Sequence, residues 1–179
     1  MKITLVRHTE IDERYSGCYN GHIDISLSDN GHHQAKKLAQ KFQDEKFDAV
    51  FCSDLKRAKD TLNYFSHAKE KVIYTDKLRE KSWGKHEGMS FDEIISQGEI
   101  EYKNFLQWIK ALDGEDYNSF QSKIKEFFLT YLPMQKKENI LIITHAGVIK
   151  TFISIIENIS IEEAFSSKIS YGSYYVYTI

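Results

Sequence analysis

Four short apolar runs punctuate the sequence: ITLV at 3–6, DAVFC at 48–52, KVIYT at 71–75 and NILIIT at 139–144. Between them lie longer stretches whose apolar residues recur with helical spacing. This alternation is the tightest constraint on the fold, because strand-like runs separated by helical patterns assemble as layered α/β domains. From Ser28 to Phe42, the residues Ala35, Leu38, Ala39 and Phe42 share one helical face. Ser53 is placed as the N-cap of a helix with Leu55, Ala58, Leu62 and Phe65 on its apolar side. Two further helices are expected within 90–132, opened by Ser90 with Glu93 and by Asn118 with Gln121, and Gly98 is a candidate break. A helix from about Gly147 to Ile156, a short one from Ser160 and a last strand in SYYVYTI complete the series.

The chain has 179 residues, which predicts a single domain with a sizeable core. A net charge of −2 argues against wholesale binding to nucleic acid or an anionic membrane, while permitting a local basic pocket. No apolar stretch approaches the roughly 20 residues that span a bilayer. The start, MKITLVRH, reads as a first strand rather than a signal peptide. Cys18 and Cys52 form no CxxC or metal pattern, which suits a cytoplasmic protein.

The chemistry gathers where the strands end. ITLV runs into Arg7-His8, and NILIIT runs into His145-Ala146-Gly147. In parallel α/β sheets the carboxyl ends of strands share an edge at which ligands bind, so the two histidines are expected to face each other across a pocket. The strand DAVFC leads to SDLKRAKDT, which sets Arg57 in the first turn of a helix, a favourable place for an anion. The strand KVIYT leads to LREKSWGKHEG, which brings Glu80 and Glu87 close to Trp83. Two arginines, two imidazoles and a carboxyl suffice for phosphoryl transfer, which asks mainly for positioning and charge stabilisation.

Four blocks carry a resemblance to the histidine phosphatase superfamily, also called the phosphoglycerate mutase-like family. RHTEIDERYSGCYNGHIDISLSDNGHHQA follows, without a gap, the pattern R-H-G-E-T-x-x-N-x-x-x-R-x-Q-G-x-x-D-x-P-L-[ST]-x-x-G-x-x-Q-A. SDLKRAKDT, LREKSWGKHEG and THAGVIK are similar to the three later blocks. The resemblance implies a three-layer α/β/α sandwich with a mostly parallel sheet. It implies a nucleophile at His8, a phosphate pocket completed by Arg7, Arg57 and His145, a proton donor at Glu80, and phosphate contact by Asn20. It implies no metal or other cofactor. The R-H-T opening with its CY-x-G loop looks most like the α-ribazole phosphatase-like branch, whose substrate would be a small phosphomonoester. Thr9, Arg14 and Cys18 depart from the pattern, and Thr9 is expected to keep an ordinary φ, since a β-branched residue at positive φ is strained.

Residues 88–138 are expected to form a helical cap within the single domain spanning 1–179, with Tyr102, Phe105 and Trp108 either reading the leaving group or packing between helices. Competing chemistries fit less well. Cys52 and Arg57 are one residue short of the C-x5-R of cysteine phosphatases. Metal ligation by His22, Asp24, His32 and His33 would need adjacent helical residues to point the same way. A mutase would use the same His8 chemistry and a non-catalytic binder the same pocket. The short segment between Glu80 and His145 favours hydrolysis over the first, and the joint presence of His8 and Glu80 disfavours the second.

Overall fold

The computed structural model describes residues 1–66, 72–98 and 100–179. Five strands form one sheet in the order β3-β2-β4-β1-β5: β1 (Lys2–Arg7), β2 (Ala49–Ser53), β3 (Val72–Thr75), β4 (Asn139–Thr144) and β5 (Tyr174–Thr178). The pairs β1–β4, β4–β2 and β2–β3 are parallel, and β5 lies antiparallel on β1. Lys71, expected in the third strand, and His67 fall outside the described residues.

The central strands are apolar on both faces because helices cover both faces. On one side Val6, Val50, Leu141 and Ile143 pack with Leu38 and Ala39 of α1 (Asp29–Lys41) and with Ala58 and Leu62 of α2 (Lys56–Leu62). On the other, Leu5, Phe51, Ile140 and Ile142 pack with α5 (Tyr117–Glu126) and α7 (Ala146–Glu157). The three-layer α/β/α expectation holds. Helix α3 (Phe91–Ser96), α4 (Phe105–Ala111), α6 (Leu132–Met134) and α8 (Ile161–Ser166) complete the second outer layer and its margin. Buried residues between 88 and 138, among them Ile94, Trp108, Ile124 and Phe127, join the same apolar cluster as the strands. No helix among the described residues is long and apolar enough to cross a membrane.

Several caps follow the sequence. Ser28 caps α1, Ser90 and Glu93 form a reciprocal capping box on α3, and Ser160 caps α8. Two do not. The N-cap of α5 is Asp116, which accepts from Ser119 N, and not Asn118. The N-cap of α2 is Leu55, with no side-chain cap bond. Ser53 ends β2 instead, and its hydroxyl is engaged by His145 at 2.8 Å.

Adjacent strands β1 and β4 send their following helices to opposite faces, α1 to one and α7 to the other. A crevice opens beyond the strand ends at such a point. The register pairs Arg7 with Thr144, so His8 and His145 leave the sheet side by side. The face carrying α7 depends on Phe152, which is fully buried, with its ring 4.5 Å from that of Phe128 and 5.1 Å from that of Tyr177. Phe152→Ala is expected to lower the unfolding free energy by about 3–5 kcal/mol in a denaturant titration; a loss below about 1 kcal/mol would contradict this packing.

Candidate active site

A cavity of about 340 Å³ lies at the strand ends, and Arg7, His8, Asn20, Arg57, Glu80 and His145 all line it. The sheet brings the histidines together, with ring centroids 5.1 Å apart. His8 is buried, and its Nδ1 lies 2.8 Å from the Thr9 carbonyl oxygen. A carbonyl can only accept, so Nδ1 carries the proton and the lone pair resides on Nε2. Burial first, then the charges of Arg57 and Arg7, hold the His8 pKa well below the usual 6.5. The ring is therefore neutral and basic at Nε2 at ordinary pH.

Arg57 is almost wholly buried and donates along four directions. Nη1 reaches the Ile23 carbonyl at 2.9 Å, Nη2 reaches those of Asn20 at 3.1 Å and Gly21 at 2.6 Å, and Nε reaches His145 Nδ1 at 3.2 Å. A guanidinium has five N–H donors, so the described residues leave one of them for a ligand. This narrows the expected two-arginine grip: Arg57 supplies charge and a single donor, and not a two-pronged fork. Because arginine always donates, His145 accepts at Nδ1 and carries its proton on Nε2, which points to Ser53 Oγ at 2.8 Å. Burial and the Arg57 charge keep His145 neutral as well, its pKa well below the usual value. Donation from His145 to a transferring group therefore requires exchanging the Ser53 contact.

Arg7 lies with its guanidinium carbon 3.8 Å above the Tyr171 ring, and Nη1 donates to the Ile169 carbonyl. Its Nε has no partner among the described residues. Glu80 sits on the amino end of α7, accepting from Gly147 N at 2.8 Å and from Lys81 N at 3.0 Å. A Cβ at Gly147 would overlap Glu80 Oε1, so a larger residue there would displace the carboxyl group. Asn20 lines the cavity: its amide nitrogen donates to the Tyr15 carbonyl at 2.6 Å, its Oδ1 is buried without a partner among the described residues, and its main-chain carbonyl accepts from Arg57 at 3.1 Å.

Thr9 has an ordinary φ; among the described non-glycine residues Lys136 and Asn158 have positive values. Its amide donates to Thr61 Oγ1 at 3.0 Å and the two hydroxyls lie 3.2 Å apart, which ties the residue after His8 to α2. Of the three aromatics considered as readers of a leaving group, Tyr102, Phe105 and Trp108, none lines the cavity. Trp108 is buried and donates to the Tyr19 hydroxyl at 2.6 Å, and Phe105 meets the Phe165 ring at a tilt, centroids 5.2 Å apart. Ile109, Tyr117 and Phe120 face the cavity instead, beside Lys150 and Tyr171. These, like Ser53, carry no local motif, so sequence alone could not single them out. His86 is buried and accepts from Asp113 N at 3.0 Å. Cys52 is buried, and burial drives its thiol pKa far up, which leaves no thiolate for nucleophilic attack. His22, His32 and His33 turn to different partners: the Glu80 carbonyl, the Tyr64 hydroxyl and the Asp29 carbonyl.

The sequence matches the family model "Histidine phosphatase superfamily (branch 1)" over residues 3–179, and the chain belongs to that superfamily. It is 32% identical over 153 residues to the Schizosaccharomyces pombe protein named "Probable phosphatase C1687.21", covering 83% of this chain and 70% of that one. Among solved structures, the α-ribazole phosphatase of Shigella flexneri superposes with a TM-score of 0.84 at 26% identity, covering 98% and 89% of the two chains. The phosphoserine phosphatase of Entamoeba histolytica, in complex with 3-phosphoglyceric acid, gives a TM-score of 0.81 at 26% identity over the same shares. The chain is accordingly a histidine-dependent phosphatase.

Two outcomes follow from the geometry. Gly147→Ala is expected to drive the Glu80 carboxylate off the start of α7; a crystal structure of the variant with Glu80 unmoved would refute the close approach. Second, two histidines held neutral must gain protons on unfolding. Their folded pKa values lie below the unfolded value of about 6.5, so the unfolded state binds more protons and stability falls as pH drops below about 6.5. The expected slope is roughly 1.4 kcal/mol per pH unit per histidine, measured by denaturant titration between pH 7 and 5. A flat profile in His8→Asn, His145→Asn and the parent alike would contradict the neutral assignment.

Proposed function

We propose that this phosphatase hydrolyses a small phosphomonoester through a phosphohistidine on His8, in the cytoplasm and without a metal. The observation that carries the reading is the His8 tautomer: a buried neutral ring with its Nε2 lone pair on a cavity walled by Arg7 and Arg57. In the first step Nε2 attacks phosphorus in line, the ester P–O bond breaks, and Glu80 gives its proton to the leaving oxygen. Arg7, the remaining donor of Arg57 and the His145 imidazole stabilise charge on the equatorial oxygens. In the second step the Glu80 carboxylate takes a proton from water, the resulting nucleophile attacks phosphorus, the N–P bond breaks, and inorganic phosphate leaves with His8 neutral again. Asn20 belongs to this phosphate region through its carbonyl on Arg57.

The domain 1–179 would act as one unit, with residues 88–138 as the cap that reads the leaving group through Ile109, Tyr117 and Phe120. α-Ribazole 5′-phosphate is the candidate that the loop sequence and the Shigella neighbour support, and other small phosphorylated metabolites fit the same chemistry. Mutase-type return of the phosphoryl group to substrate, and phospho-ligand binding without turnover, are the alternatives that the experiment separates. The purified protein is expected to release inorganic phosphate from an aryl phosphate in excess chelator, and from α-ribazole 5′-phosphate in a metabolite panel. His8→Ala is expected to reduce the rate by at least about 1000-fold and to remove an acid-labile phosphoenzyme. Activity that requires a divalent metal, or that survives in His8→Ala, would overturn the mechanism; interconversion of phosphoglycerates without net phosphate release would favour the mutase.

A further inference from the structure

Glu87 does not line the cavity, yet its carboxylate accepts four backbone N–H groups. Oε1 takes those of His22 at 2.8 Å and Trp83 at 2.9 Å, and Oε2 takes those of Gly21 at 2.9 Å and Ile23 at 3.1 Å. An ionised carboxylate has about four lone-pair sites, so its accepting capacity is filled. Two of these donors belong to peptide groups whose other ends hold Arg57. The Asn20–Gly21 peptide gives its N–H to Glu87 and its carbonyl to Arg57, and the Gly21–His22 peptide does the same. Each peptide dipole thus lies between an anion and a cation, an arrangement in which successive hydrogen bonds polarise and strengthen one another. The same turn reaches the proton donor: the His22 ring donates from Nε2 to the Glu80 carbonyl at 3.0 Å. Only glycine admits this approach, because a Cβ at Gly21 would overlap both Glu87 Oε1 and the Lys81 carbonyl oxygen.

We infer that Glu87 is a positioning residue for the reaction, setting Arg57 through two bridging peptides and Glu80 through His22. It never touches the substrate. Among the described residues Arg57 pairs with no carboxylate directly; the peptides transmit the negative charge of Glu87 to it at one remove. The role rests on the hydrolase reading only for its effect on turnover, since the oxyanion grip can be measured without any reaction.

The test is a double-mutant cycle on binding of inorganic phosphate by titration calorimetry, with aryl phosphate kinetics alongside. Glu87→Gln sets an amide NH2 against backbone donors and is expected to weaken phosphate binding about tenfold or more and to lower kcat/KM at least as much. In an Arg57→Lys background the same change is expected to alter phosphate binding less than about threefold, because its route is already broken. Glu87→Asp, which keeps the charge at shorter reach, is expected to fall between, and it carries the same comparison if Glu87→Gln does not fold. A full effect persisting in Arg57→Lys, or unchanged phosphate affinity despite a lower melting temperature, would overturn the positioning role. Failure of the His8 mechanism would be read elsewhere, in the activity of His8→Ala.

Discussion

A guanidinium buried with no direct acid partner among the described residues is the constraint on which the site depends. Taking a charge out of water costs several kcal/mol unless hydrogen bonds replace the lost solvation. For Arg57 the replacements are three backbone carbonyls and an imidazole nitrogen. Burial still brings its pKa down to about 10, which leaves it charged at any ordinary pH. That requirement places the 20–23 turn and fixes the His145 tautomer. Through His145 it also occupies the Ser53 hydroxyl at the end of β2. A cation held in this way is fixed in the cavity wall, and a group held in place beforehand needs little reorganisation to meet an anion.

The remaining groups are mounted on the rigid sheet and on α7. Parallel pairing of β1 with β4 sets the spacing of His8 and His145, because Arg7 and Thr144 are register partners at the last rung. Helix α7 starts immediately after His145, and its free backbone N–H groups receive the Glu80 carboxylate. The absence of a side chain at Gly147 lets the Glu80 carboxyl approach that helix end. His8, Arg57 and Glu80 thus follow three different strands and converge on one cavity. Loop side chains complete it: Tyr171 stacks on Arg7, and Thr61 secures the residue that follows His8.

Local signals were legible where the interacting residues are neighbours in sequence. The capping box of Ser90 with Glu93 and the caps at Ser28 and Ser160 are set by bonds spanning three residues, so the pattern and the structure agree. The strand runs were legible because burial on both faces leaves few polar positions. Ser53 misled because its hydroxyl answers to a residue 92 positions away. The α5 start misled because two polar residues close together compete for one cap, and Asp116 takes it. Trp108 looked equally able to bind a ligand or to pack; its indole meets the Tyr19 hydroxyl and its ring is buried in the core.

The sequence by itself determined the class of chemistry. Four ordered blocks carry Arg7, His8, Arg57, Glu80 and His145, and their residue types allow little besides phosphoryl transfer. The alternation of apolar runs with helical patterns determined the layered sheet that displays them. Only the tertiary structure decided how each group is held. Hydrogen bonds formed across long separations decided which nitrogen of His145 bears the proton, whereas the carbonyl of the adjacent Thr9 decides it for His8. They decided that the described residues engage four of the five Arg57 donors, and that the Asn20 main-chain carbonyl takes one of them. They also placed Glu87 behind the site, on the far side of two peptide groups from Arg57. Residue type sets what a side chain can do, and the partners that folding brings within about 3 Å set what it has left to offer.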